Sequence, residues 1–94
     1  MARLSESEIE ERLPATEWRR EGEAIVRDWK FDDFAGALAF VNRVGEAAEE
    51  ANHHPDILVH GWNKVRLTLS THSEGGLTDA DHALARRIDA LGNE

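Results

Sequence analysis

Apolar residues recur along this chain with two different periods, and each change of period marks an element boundary. Near the start, Leu4 and Ile9 bracket Ser5-Glu6-Ser7-Glu8. A serine followed three residues later by a glutamate fits a capping box, and the flanking apolar pair fits a hydrophobic staple, so a short helix is predicted here. Pro14 cannot continue that helix and biases Leu13 away from helical geometry, which ends it near Arg12. Trp18 to Arg20, a turn at Glu21-Gly22-Glu23, and Ala24 to Phe31 read as strand, turn, strand. Ile25, Trp29 and Phe31 alternate onto one side, which Arg27 interrupts.

Beyond Asp32 and Asp33, either of which can serve as a cap, the period becomes helical through about Asn52. Phe34, Leu38, Val41, Gly45 and Ala48 form one apolar stripe; Ala37, Phe40, Val44, Ala47 and Ala51 form a second beside it. The two together are wider than the stripe a helix needs to pack on one sheet, so part of this helix is expected to meet another subunit, the alternative being a helix of the same chain. Glu49 falls at the margin of the apolar arc and Glu50 in the middle of the polar one, so Glu49 is expected to be partly desolvated. Ile57-Leu58-Val59 reads as a short strand and Lys64 to Thr71 as a longer one, with Val65, Leu67 and Leu69 alternating against Arg66, Thr68 and Ser70. His60-Gly61-Trp62-Asn63 turns between them.

Ser73-Glu74-Gly75-Gly76 is expected to be a flexible connection. Thr78-Asp79-Ala80-Asp81 then opens a last helix through about Leu91, closed by Gly92, with Ala83, Leu84, Ile88 and Leu91 as its apolar face. The order is α-β-β-α-β-β-α. Strands joined by short turns pair antiparallel, which predicts one α+β domain over residues 1–94: a four-stranded antiparallel sheet with helices packed on one face.

Charge and composition narrow the function. Nineteen acidic against eleven basic residues give a net charge of −8, which disfavours direct nucleic-acid binding, since that works by neutralising phosphates with Lys and Arg. The absence of cysteine excludes disulfides and thiolate zinc sites. No run approaches the roughly 18 apolar residues of a membrane span and the first residues lack a signal-peptide core, so a soluble cytoplasmic protein is expected.

Three of the five histidines fall where elements begin or end: His53 and His54 before Pro55, and His72 after the last strand. Such junctions are where a rigid scaffold presents side chains to a ligand. Imidazole titrates near neutrality, so three converging rings, with Glu49 biasing their charge, suit acid/base work. A metal site built from His53, His54, His72 and Glu49 is disfavoured, because adjacent histidines lack the i, i+4 spacing that aims two rings at one ion. His60 and His82 are read as surface residues, and an acid at Asp81 is already explained as part of a helix cap.

The run Glu49-Glu50-Ala51-Asn52-His53-His54-Pro55, the strand Asn63 to Ser70 closing on Thr71-His72, and Gly76-Leu77-Thr78 with Asp81 resemble the pterin-4a-carbinolamine dehydratase family. The resemblance covers most of the chain from Trp18 onward. It implies that His53, His54 and His72 surround a pterin as acid/base groups, with His54 and His72 expected to carry the proton transfers and His53 to assist, and that Glu49, Asn52, Pro55, Ser70, Thr71 and Asp81 line its pocket. The implied reaction is dehydration of 4a-hydroxytetrahydropterin (4a-hydroxytetrahydrobiopterin) to quinonoid dihydropterin, without cofactor or metal, with an aromatic amino acid hydroxylase as functional partner and a homodimer or homotetramer as the assembly. The other role the resemblance implies is a non-catalytic dimerisation or assembly factor on the same fold. Two features depart from the family pattern: Asn52 stands where many members carry Asp, and His60-Gly61-Trp62 is one residue longer than the usual turn, with Trp62 for a frequent tyrosine.

Overall fold

A computed structural model describes residues 2–13 and 16–92; Pro14, the expected stop of the first helix, lies outside the described residues. Helix α1 (Glu6–Arg12) begins with the expected capping box: the Ser5 hydroxyl accepts from the Glu8 N–H and the Glu8 carboxylate accepts from the Ser5 N–H. Strands β1 (Arg19–Glu21) and β2 (Ala24–Lys30) form the hairpin, and helix α2 (Phe34–Ala51) crosses to β3 (Asp56–His60). Strand β4 (Lys64–Leu69) is two residues shorter than expected. A 3₁₀ turn (His72–Glu74) and helix α3 (Asp79–Gly92) complete the chain. The connection expected to be flexible is folded instead, because Thr71 and Gly76 exchange backbone hydrogen bonds of 3.1 and 3.3 Å around it.

The sheet order is β1-β2-β4-β3, antiparallel throughout, with β4 inserted between the hairpin and β3. This register sends Ile25, Val65, Leu67 and Leu69 to one face, where Phe40 and Val44 of α2 and Leu84 and Ile88 of α3 bury them. Arg27 lies in line with Ile25 and Trp29, and the structure explains the break. Its guanidinium stands 4.5 Å over the Trp29 ring and pairs with Asp89 at 2.6 Å, so its charge is matched at the edge of the core. Asp89 also accepts the Trp18 indole N–H at 2.8 Å.

Of the two stripes on α2, Ala37, Phe40, Val44 and Ala47 are buried within the chain, whereas Phe34 and Leu38 remain 51% and 40% exposed. Ala51, placed on the buried stripe by periodicity, is exposed. On α3 the buried face is Asp81, His82, Leu84, Ala85 and Ile88, so Ala83, expected inside, is exposed instead. The β3–β4 turn puts Gly61 and Trp62 at φ 54° and 58°. That is the left-handed region, uncommon for a bulky residue. Among the described residues no helix is long and apolar enough to cross a membrane.

Candidate active site

Helix α2 ends in a way that aims the segment after it. Asn52 is its C-cap at φ 50°, ψ 41°, a left-handed conformation that asparagine tolerates better than most residues. The next N–H, of His53, folds back to the Ala48 carbonyl at 3.1 Å. That closure turns the chain from helix into His53-His54-Pro55. Asn52, a pocket residue by resemblance, thus has a local backbone role and an exposed side chain.

The two adjacent rings go to different places. His53 is only 15% exposed, and its Nε2 lies 2.6 Å from Asp81 Oδ1, a carboxylate with no solvent exposure. Asp81 Oδ2 accepts from the Thr71 hydroxyl at 2.7 Å and from the Thr78 N–H at 3.0 Å. Asp81 therefore makes two kinds of contact. It closes the capping box of α3 through Oδ2, and it holds a histidine ring through Oδ1. His54 points out to solvent, where its Nε2 pairs with the carboxylate of Glu49; the side chains are 59% and 77% exposed. This overturns the expected desolvation of Glu49, which is more exposed than Glu50 at 61%. A margin position on a helix is desolvated only if something packs beside it, and none of the described residues covers the Glu49 side chain.

The other candidates separate. Thr71 joins the Asp81 cluster, while the Ser70 hydroxyl turns away to the Glu23 carbonyl at 2.9 Å. His72 is exposed and opens the 3₁₀ turn rather than ending the strand. Pro55 is half-buried after the paired rings. Among the described residues no hydrogen bond joins the three rings to one another, and no three His, Asp or Glu side chains gather as a metal site. Beside His53 lies a cleft of about 260 Å³ between α2 and α3, lined by Ala51, Ala80, Ala83, Leu84 and Arg87.

His82, expected at the surface, is 4% exposed. Burial pushes its imidazole below the ordinary value of 6.5, and the nearby Arg12 and Arg86 charges act in the same direction against the opposing pull of Asp81 and Asp79. The sequence carried a signal for both α3 groups. Asp81, Leu84, Ala85 and Ile88 stand at i, i+3, i+4 and i+7, so the acid and its neighbour sit on the inner face.

Residues 2–91 match the family described as pterin 4 alpha carbinolamine dehydratase. Proteins from Thermomicrobium roseum and Acidobacterium capsulatum, both carrying the provisional name pterin-4-alpha-carbinolamine dehydratase, are each 50% identical over 92 residues, covering 97% of this chain and 98% and 99% of theirs. A crystal structure of a transcriptional coactivator/pterin dehydratase from Brucella melitensis superposes with a TM-score of 0.90 at 41% identity, covering 96% of this chain and 98% of that one. A pterin dehydratase-like protein described as a RuBisCO assembly factor in the alpha-carboxysome superposes at 0.67, with 27% identity over 82% of this chain and 88% of that one.

Proposed function

Since the chain belongs to the pterin-4a-carbinolamine dehydratase family, we propose that it catalyses the loss of water from a 4a-hydroxytetrahydropterin by histidine acid/base chemistry, in the cytoplasm, recycling the pterin used by an aromatic amino acid hydroxylase. In this reaction the C4a–O bond breaks, the departing hydroxyl takes a proton and leaves as water, and a base removes a ring N–H proton. The products are quinonoid dihydropterin and water. No electrons enter or leave, so the reaction calls for no redox partner.

The observation that carries this reading is the pairing of His53 with the buried Asp81 at the mouth of the cleft. An imidazole held this way is oriented before substrate arrives, and a positioned acid or base is typically worth about 10²–10⁴-fold. His54 and His72, both exposed, are the groups assigned to complete the transfers, with Glu49 paired to His54. Ser70, bonded to backbone, would act on the pocket only through that strand end.

The assembly proposed is a homodimer or homotetramer. Its support is the exposed pair Phe34 and Leu38 on α2, and the edge strand β3, which leaves Ile57 and Leu58 exposed and one side unpaired. The same surfaces, with the likeness to a RuBisCO assembly factor, favour the second reading of a scaffold without catalysis.

The test is the initial dehydration rate of freshly generated 4a-hydroxytetrahydropterin with wild type and with His53→Ala, His54→Ala and His72→Ala. Acceleration by the wild type, reduced by about 10²–10⁴-fold in folded His53→Ala, is the expected result. A wild-type protein that leaves the spontaneous rate unchanged would leave the scaffold reading in its place.

A further inference from the structure

Behind the His53–Asp81 pair stand two threonine hydroxyls, one of which, Thr78, matches no position assigned to the pocket. Thr78 is fully buried, and its Oγ1 lies 2.9 Å from Thr71 Oγ1, which lies 2.7 Å from Asp81 Oδ2. Hydrogen counting fixes the direction of this chain. A hydroxyl has one proton to give, and an ionised carboxylate can only accept. The Thr71 proton therefore goes to Asp81, so the Thr78 proton must go to Thr71. Thr78 Oγ1 in turn accepts from the Ala80 N–H at 3.3 Å. Donors thus run one way, from the first turn of α3 through two hydroxyls to Oδ2, where the Thr78 N–H also arrives at 3.0 Å.

With Oδ2 occupied by two donors, Oδ1 is the acceptor facing His53. The ring nitrogen there, Nε2, must carry a hydrogen, and in the neutral ring Nδ1 is then the nitrogen with the lone pair. Among the described residues no hydrogen bond reaches Nδ1, which is not one of the buried unpartnered atoms.

We propose that Thr78 and Thr71 are positioning residues, a one-way hydroxyl relay that fixes Asp81 and through it holds His53 in the Nε2–H tautomer, so that Nδ1 is the atom that takes or gives the substrate proton. This rests on the reading of His53 as an acid/base group. The backbone bonds between Thr71 and Gly76 and the fully buried position of Thr78 keep the relay in place without substrate, as preorganisation requires.

The relay makes an outcome that a merely structural role would not produce. In Asp81→Asn, the two donors converging on the Oδ2 position require an acceptor there, so the amide oxygen takes that place and the NH₂ group faces His53. An NH₂ can only donate, which forces the opposite tautomer, Nδ1–H, on the ring. Nitrogen-15 NMR of His53 near pH 8, with no substrate present, reads this directly. Expected are Nε2–H in wild type and Nδ1–H in Asp81→Asn; Nε2–H in both would overturn the proposal. Thr71→Val, which leaves the Thr78 cap on α3 intact, covers the case of an unfolded Asp81→Asn. It should lower kcat by about tenfold, the size of one lost hydrogen bond to a charged group, with KM near wild type. Thr78→Ser should match wild type while Thr78→Val follows Thr71→Val. Wild-type kcat in Thr71→Val, or loss in Thr78→Ser equal to that in Thr78→Val, would also overturn the relay. Because the tautomer is read without substrate, a protein with the expected NMR pattern and no dehydratase activity would overturn the dehydration reading and leave the relay standing.

Discussion

His53 Nε2 and Asp81 Oδ1 lie 2.6 Å apart although 28 residues separate them. The ring comes from the segment that leaves α2 and the carboxylate from the first turn of α3, so the pair exists only when both helices are docked on the sheet. His54, one residue away, pairs with Glu49 of the adjoining helix end, in solvent. Adjacent histidines therefore differ in kind: one is fixed by tertiary structure and the other by a local, screened contact.

That difference predicts a small effect for Glu49→Gln. The pair it breaks lies in solvent, where an ion pair is weak, so the dehydration rate should change little and any difference should shrink with added salt. A rate profile measured at two ionic strengths checks this, with unfolding midpoints expected to match wild type.

His82 predicts a pH limb in stability. Its folded value is depressed below 6.5, so the unfolded chain takes the proton first. Stability is then fully present above about pH 6.5 and is lost as pH falls through the folded value. Arg12, Arg86, Asp79 and Asp81 are the charges acting on it, and the two arginines outlive any acid titration of their neighbours. His82→Leu should flatten this limb of the Tm-against-pH curve between pH 7 and 5. An unchanged slope would show that other groups set it.

Phe40 is expected to be the most costly single truncation in the core. It is fully buried, with ring centroids 4.9 Å from Trp29 and 5.1 Å from Phe31. Phe40→Ala should cost about 3–5 kcal/mol, a large part of the roughly 5–15 kcal/mol available to a domain, and Phe40→Leu clearly less. Urea unfolding with a shared m-value is the measurement.

The outer stripe of α2 predicts the assembly. Phe34→Glu/Leu38→Glu should yield a smaller species by light scattering while far-UV circular dichroism stays unchanged, because neither side chain belongs to the core of its own chain. A wild type already monomeric at micromolar concentration would remove the assembly from the proposal.

Much of the fold was readable because several boundaries had a local cause: the Ser5–Glu8 box, the glycine at the hairpin, and the aspartate cap of α2. What periodicity could not supply was cover. It placed Glu49 beside an apolar arc without saying that the arc's flank is bare, and it put Ala51 and Ala83 on inner faces that open onto the cleft. His82 was misassigned for the opposite reason. A polar residue beside an inner stripe looks solvent-facing, whereas in the folded chain Arg12, Leu13 and Trp18 line the same cavity as His82. Of the site, the candidate residues were legible as types at junctions, but not their pairing. The bond from His53 to Asp81 depends on how α3 docks, and Thr78 stood in the sequence as a cap and as part of the Gly76-Leu77-Thr78 match, with nothing to tie it to Thr71.

One carboxylate serves both the start of α3 and the ring of His53, so fraying of that helix end and disarming of the site are a single local opening event. Native-state hydrogen exchange gives this a number. The Thr78 amide, donated to Asp81 Oδ2, becomes free only when the carboxylate lets go, so its protection factor measures how often His53 loses its anchor. A ligand that engages His53 in the cleft should slow exchange at Thr78 without touching it, and stabilising the first turn of α3 should tighten that ligand in return.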